Sequence, residues 1–306
     1  REAYGATLVK LGATRDFVVL DADLAAATKT GMFKKAFPDR FFDCGIAEGN
    51  MMSVAAGIAA TGVTPFVSTF AMFAAGRAFE QVRNSIAYPH LNVKICATHA
   101  GITVGEDGAT HQCNEDISLM RTIPGMTVIN PADAVETEAA VTAALDFDGP
   151  MYIRLGRAPV PTLNDRPDYR FEIGKGYVLA GGTDVTLVAT GYMVHLALEA
   201  RDILAAEGIS ARVVNIHTIK PLDTALITAC AEETGAVVTA EEHSIIGGLG
   251  SAVAECLADT CPTPLERVGV RDTFGKSGTV PALLEKFGLT APEIAAAARR
   301  AIARKK

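Results

Sequence analysis

The stretch EGNMMSVAAGIAATGVTPFVSTFAMFAAG (48–76) carries one charged side chain, Glu48, at its first position. The uncharged run behind it, residues 49 to 76, is longer than the roughly 18–20 apolar residues that a membrane-spanning helix needs. Gly57, Thr61, Gly62, Thr64, Pro65, Ser68 and Thr69 break that run into pieces, and glycine and proline are the strongest punctuators of local structure. It reads as a helix over 48–60, a turn, a buried strand at 64–68 and the start of a second helix at 70. A buried strand set between helices is the repeating unit of a parallel sheet covered on both faces.

The same alternation extends outward. FVVLD (17–21), TPFVS (64–68), VKICATH (93–99), MTVIN (126–130) and MYIRL (151–155) are short apolar runs rich in β-branched residues. Between them, 48–60, 70–88, 113–122 and 132–145 are alanine-rich and suit helices. From Gly156 to Gly182 the pattern lapses into Pro159, Pro161, Pro167 and a polar run ending in two glycines, then restarts at DVTLVAT (184–190). Helices over 194–207, 222–234 and 247–259 then alternate with strands over 211–216, 236–242 and 264–270, before two short helices. The fold class is α/β, with two doubly wound domains built on mainly parallel sheets. The first spans 1–165, a linker 166–182, and a smaller second domain 183–306. The length of 306 residues agrees, because single cores rarely grow past about 250–300 residues.

About half of the chain is apolar and it has no tryptophan, which fits a globular protein and not a disordered or fibrous one. A formal net charge of −7 argues against a nucleic-acid or anionic-membrane partner, since phosphate binding needs clustered Lys and Arg. The one basic run, Arg299, Arg300, Arg304, Lys305 and Lys306, reads as a solvated helix end. Cys44, Cys96, Cys113, Cys230, Cys256 and Cys261 form no CxxC pair, which disfavours zinc and fits free thiols in a reducing cytoplasm. No signal peptide is legible, and the chain opens at Arg1 without an initiator methionine, so a few upstream residues are expected.

In open sheets of this type ligands sit beyond the carboxyl ends of the strands, which directs attention to four segments. CGIAEGNM places Glu48 at the start of an apolar helix; it is either a first-turn acid favoured by the helix dipole or an acid in a low-dielectric site that shares a proton with a ligand. STFAMF supplies Phe70 and Phe73 three residues apart, as core or as a wall for a flat heteroaromatic ring. THAGITVGEDGATHQ gathers His99, Glu106, Asp107 and His111 on a glycine-rich loop after a strand, where binding and catalysis concentrate. YIRLGR puts Arg154 and Arg157 at a strand end, able to grip a phosphate or to form an interdomain salt bridge. His195, His217 and His243 lie in the second domain and, taken to be without a matching acid partner, read as structural. There is no GxSxG elbow and no complete GxGxxG.

With FxDCGIAEGNM, PFVSTFAMF, THAGITVGEDGATHQ and YIRLGR in place, the chain resembles the transketolase family over nearly its whole length, from REAYG (1–5) to SGTVPALLEKFG (277–288). The resemblance covers the pyrimidine-binding and C-terminal domains, two of that family's three. It implies that Glu48 contacts N1′ of the aminopyrimidine of thiamine diphosphate and favours the imino tautomer that generates the ylide. It implies that Phe73 stacks on the pyrimidine with Phe70 lining the pocket, that His99, Asp107 and His111 contact sugar hydroxyls, and that Arg1 and Arg157 grip the sugar's terminal phosphate. His99 and His111 join Glu48 in the catalytic set. One departure is DADLAAAT, which offers Ala25, Ala26 and Ala27 where the family often has a polar residue.

The family's GDG...N segment, which binds the diphosphate and Mg²⁺, is absent. The resemblance therefore implies a second polypeptide, an N-terminal transketolase subunit, in a cytoplasmic α2β2 heterotetramer that moves a two-carbon ketol unit between sugar phosphates of pentose phosphate metabolism. Three alternatives stand beside it: a 2-oxo acid dehydrogenase β subunit, a deoxyxylulose phosphate synthase-like enzyme, and a noncatalytic scaffold subunit.

Overall fold

A computed structural model describes residues 1–305 of the chain. Twelve strands occur among them: β1 Val18–Asp21, β2 Phe41–Asp43, β3 Pro65–Phe70, β4 Lys94–Thr98, β5 Thr127–Ile129, β6 Met151–Arg154, β7 Tyr177–Ala180, β8 Val185–Ala189, β9 Ala211–Asn215, β10 Thr218–Lys220, β11 Val237–Ser244 and β12 Leu265–Val270. Seven form one sheet in the order β10-β5-β6-β4-β3-β1-β2, and five form another in the order β12-β11-β8-β9-β7. All pairings are parallel except β10 with β5 and β7 with β9. β3, β4, β5 and β6 are buried along their whole length, as strands covered by helices on both faces must be.

The apolar side chains fall into three layers. Tyr4, Leu8, Phe17, Phe66 and Val141 fill the outer face of the first sheet, and Leu187, Val213, Leu204 and Ile294 that of the second. Between the sheets one continuous cluster joins Met51, Met52, Val82 and Ile95 to Val188, Ile216 and Val253. The two units thus share an interior, which ties the second sheet to the working edge of the first.

Several elements differ from the reading of the sequence. β7 lies inside the stretch read as a linker, and β10, past that stretch, returns to pair with β5 of the first sheet. Lys220 at its end donates to the carbonyls of Arg121 (2.8 Å) and Ile123 (2.6 Å). β2, β7 and β10 are short and only partly buried, so they lack the continuous apolar run that marks β5 and β6. Gly182 ends β7's connection where a Cβ would lie 2.2 Å from the carbonyl carbon of Ala211. The helix expected over 70–88 is instead the end of β3 followed by two wide π-type turns, Met72–Arg77 and Val82–Ala87, around a single α turn, Phe79–Gln81. The next expected helix begins at Asp116, not 113. Arg299 and Arg300 do close the helix Ala291–Ile302, and Lys306 lies outside the described residues.

The stretch between the sheets is bound to the first unit by two acids. Asp133 caps the helix Ala134–Asp146 through Glu136 N (2.8 Å), while its other oxygen accepts from Leu163 N (2.6 Å) and Asn164 N (2.8 Å). Glu136 accepts from Asn215 Nδ2 (2.8 Å) and from the Tyr169 hydroxyl, and burial pushes its pKa up to about 7.

Arg154, read as a phosphate ligand or a salt bridge, is 3% exposed and serves the fold. Its Nε donates to Asp116 Oδ2 at 2.8 Å, beside the Tyr152 hydroxyl at 2.9 Å, and its Nη2 donates to the Glu242 carbonyl at 2.8 Å. Removing one member of a buried pair leaves the other charge uncompensated, at a cost of about 3–5 kcal/mol. Arg154→Met should therefore lower the unfolding free energy by about that much in urea titration, with Asp116→Asn in the same chain restoring part of it. A loss below about 1 kcal/mol would show the pair to be dispensable.

Candidate active site

The carboxyl ends of β6, β4, β3, β1 and β2 lie side by side, and the residues singled out by the sequence follow them. β2 runs into a turn through Gly45, held at φ +68° with its N–H on Asp43 Oδ1 (3.1 Å), and the turn delivers Glu48. β3 ends at Phe70, β4 precedes His99, and β6 precedes Arg157. β1 ends at Asp21, a buried carboxylate that accepts from Leu24 N (2.6 Å), Thr28 Oγ1 (2.7 Å) and Thr30 Oγ1 (2.8 Å). Burial raises its pKa and those bonds oppose the rise. They fix the DADLAAAT segment so that the Ala27 carbonyl accepts from Arg1 Nη1 at 3.0 Å.

Glu48 opens the helix Glu48–Ala60 and is 2% exposed. Both its oxygens accept from Arg77 Nη1, at 3.1 and 3.0 Å. The Arg77 guanidinium also lies over the Phe73 ring, 4.4 Å from its centroid, a cation–π contact. The side chain of Arg77 is 53% exposed, so solvent reaches the arginine and not the acid. Arg77 was not found by sequence reasoning, although a signal existed: it is the first charged residue after Glu48 and ends the uncharged run. Helical spacing does not align Phe70 and Phe73, since the junction of strand and wide turn intervenes. Their rings nonetheless stack at 6.0 Å and 17°.

His99 and His111 join this aromatic group. His99 packs on Phe70 at 3.9 Å and 28°, and His111 meets Phe73 edge-on at 5.4 Å and 76°. His99 is 3% exposed and sits at φ +57°, outside the usual range for a residue with a Cβ. Burial, helped by the Arg1 and Arg157 charges, lowers its pKa to about 3. The loop behind it turns through Gly101, Gly105 and Gly108, all at positive φ. Gln112 Nε2 gathers this loop by donating to the carbonyls of Ile102 (3.3 Å) and Gly105 (3.2 Å). Asp107 is exposed on the loop, and Glu106 pairs with Arg157 Nη1 at 3.2 Å.

Two cavities flank the group. One of about 680 Å³ is lined by Phe73, Arg77, Thr110 and Gln112 of the first unit and by Phe274 of the second. The other, about 380 Å³, lies on the seam and holds Arg1 and Arg157 together with Asn130, Tyr192 and Glu242. A buried carboxylate beside an aromatic face suits a flat, protonatable heteroaromatic ring. No cluster of three His, Cys, Asp or Glu side chains placed for a metal ion occurs among the described residues. Of the other histidines, His217 is buried against Phe171 at 4.3 Å, and His243, read as lacking an acid, is buried with Glu241 Oε2 3.7 Å from its Nδ1 and with Nε2 accepting from Ser118 N at 3.3 Å. All six cysteines are free, and among the described residues no helix is long and apolar enough to cross a membrane.

The pyrimidine-binding domain of transketolase matches residues 1–162, and the transketolase C-terminal domain matches 174–294. The chain is 49% identical over 306 residues to the 6-deoxy-6-sulfo-D-fructose transketolase subunit of Clostridium sp. (strain MSTE9), covering all of this chain and 95% of that one. A solved structure described as a split gene transketolase, inactive beta4 tetramer, is 58% identical and superposes with a TM-score of 0.93 over 100% of this chain and 99% of its own. The transketolase of Leishmania mexicana is 26% identical with a TM-score of 0.82, and this chain covers 45% of it.

The environment of His99 has a spectroscopic consequence. Its ring should stay neutral from pH 8 down to about 5 in NMR titration, because its pKa lies at about 3 in the fold. An unfolded histidine takes up its proton near pH 6.5, so stability tied to His99 is present above that value and declines as the pH falls toward about 3. An imidazole titrating between pH 6 and 7 would contradict this environment.

Proposed function

The chain belongs to the transketolase family, as its pyrimidine-binding and C-terminal section, and on that premise we propose that it works with an N-terminal partner subunit in an α2β2 assembly. The reaction is transfer of a two-carbon ketol unit from a ketose phosphate to an aldose phosphate. The observation that carries this reading is a carboxylate 2% exposed, Glu48, joined to the Phe73 face by Arg77, which pairs with the acid and lies over the ring. When bound, thiamine diphosphate supplies the nucleophilic carbon that such a transfer needs.

Each residue has a role that its geometry supports. Glu48 holds a proton at N1′ of the aminopyrimidine, where its burial strengthens the exchange. Phe73 provides the stacking face, and Phe70 backs the pocket while bracing His99. Arg77 makes both contacts that this reading assigns to the ring, the pair with Glu48 and the stack on Phe73. It keeps the buried acid paired until the ring enters, then swings aside on its exposed arm. His99 and His111, with Asp107, meet the sugar hydroxyls, and a neutral His99 both donates and accepts without repelling the neighbouring arginines.

Arg1 and Arg157 face one cavity and grip the anionic end of the sugar, which favours a sugar phosphate over a small 2-oxo acid. Guanidinium groups hold any tetrahedral oxyanion, so a sulfonate such as the one named for the Clostridium relative also fits. In this reading the metal and diphosphate fall to the partner, and no cluster of metal ligands occurs among the described residues. Free cysteines fit a reducing cytoplasm.

Assayed alone, the chain should show no ketol transfer; mixed with its partner it should. In that complex Glu48→Ala should lower kcat by about 10²–10⁴-fold, the usual contribution of a positioned acid or base, with pyruvate inert as donor. Robust activity without a partner overturns the split-site reading, and an unaffected Glu48→Ala complex would mark the chain as a scaffold.

A further inference from the structure

We propose that Glu242, which belongs to the second unit, is a positioning residue for the loop 101–112 of the first, so that the C-terminal domain is the template on which this loop is set. The inference rests on the proposed role of that loop and extends it to a residue of the second unit, one that also borders the cavity holding Arg1 and Arg157.

Glu242 lies near the end of β11, the longest strand, and is 2% exposed on the seam between the units. Its Oε1 accepts from the backbone N–H of Thr103 at 2.5 Å. Two residues earlier, Gly101 sits at φ +78°, and a Cβ there would lie 2.5 Å from the same Oε1 and 2.6 Å from its carbon. The loop backbone is therefore laid directly on the carboxyl group. The backbone carbonyl of Glu242 meanwhile accepts from Arg154 Nη2 at 2.8 Å. One residue thus holds the end of β6 by its main chain and the loop by its side chain.

Other residues of the second unit extend the template. Gln112 Nε2 donates across the seam to the Lys276 carbonyl at 2.9 Å, and a Cβ on Gly108 would lie 2.4 Å from Ser277 Oγ. Burial raises the Glu242 pKa to about 7 even beside the Arg154 charge. An apolar side chain would fill the seam without the cost of burying a carboxyl group; what glutamate adds is an acceptor aimed at Thr103. Because Arg154 binds the main chain of Glu242 and keeps Asp116 as its partner, replacing the side chain orphans no charge.

The test compares the wild type with Glu242→Gln, which keeps an acceptor oxygen, and Glu242→Ala, which removes it. In amide hydrogen exchange on the isolated chain, Glu242→Ala should speed exchange at 101–112 by about tenfold or more, the value of a hydrogen bond to a charged acceptor, and Glu242→Gln should stay near wild type. Gly101→Ala, which disturbs the same contact from the other side, should reproduce the local change if Glu242→Ala does not fold. In the assembled complex Glu242→Ala should raise the sugar KM by a similar factor and leave cofactor affinity unchanged. Equal exchange in Glu242→Ala and wild type, acceleration spread over the whole chain, or a Gln variant as damaged as the Ala variant would each overturn the proposal. A local response in a complex that transfers no ketol unit would sustain the positioning role and remove the functional reading instead.

Discussion

A carboxylate buried at the head of an uncharged helix has to be answered by a counter-charge, and around Glu48 that demand organises the edge of the first sheet. The next 28 residues, 49 to 76, carry no charge, so the helix and strand that follow pack against their neighbours without any ion pair. The answer comes from Arg77, carried on a wide turn after β3. That turn carries the guanidinium onto both the acid and the Phe73 ring. A regular helix from 70 onward would have pointed these side chains elsewhere, since its turns advance by a fixed angle per residue.

The second constraint is the shared interior. One apolar cluster spans both sheets, and several polar groups near it are paired: Arg154 with Asp116 and the Glu242 carbonyl, Glu242 with Thr103, Glu136 with Asn215. Buried polar groups are costly when single and hold a fixed arrangement when paired. The glycine-rich loop, whose Ile102 and Val104 are buried, is held in its backbone path by such bonds as well. The second unit therefore matters to the edge of the first even though none of the candidate ligand residues belongs to it.

The burial of titratable groups acts on stability in opposite directions. His99 and His217, with pKa values lowered by burial to about 3 and about 4, withhold stability as the pH falls below the ordinary histidine range. Glu136 and Glu242, raised by burial to about 7, contribute stability below the ordinary carboxylate range and lose it as the pH rises toward neutrality. The two trends meet between these ranges, where neither set carries its full cost.

The alternation of apolar runs with alanine-rich segments determined the α/β class, and the four motif segments placed Glu48, Phe70, Phe73, His99 and His111 at the ends of strands that turn out to be neighbours. Both follow from local chemistry: burial on two faces demands continuous apolar strands, and glycine marks where the chain must turn tightly. Tertiary structure alone decided which charges met. Arg77 reaches Glu48 across 29 positions, Glu242 reaches Thr103 across 139, and β10 crosses back to pair with β5. No local period records such meetings, because a hydrogen bond or ion pair depends on where two distant backbones are brought by packing, and packing is a property of the whole chain.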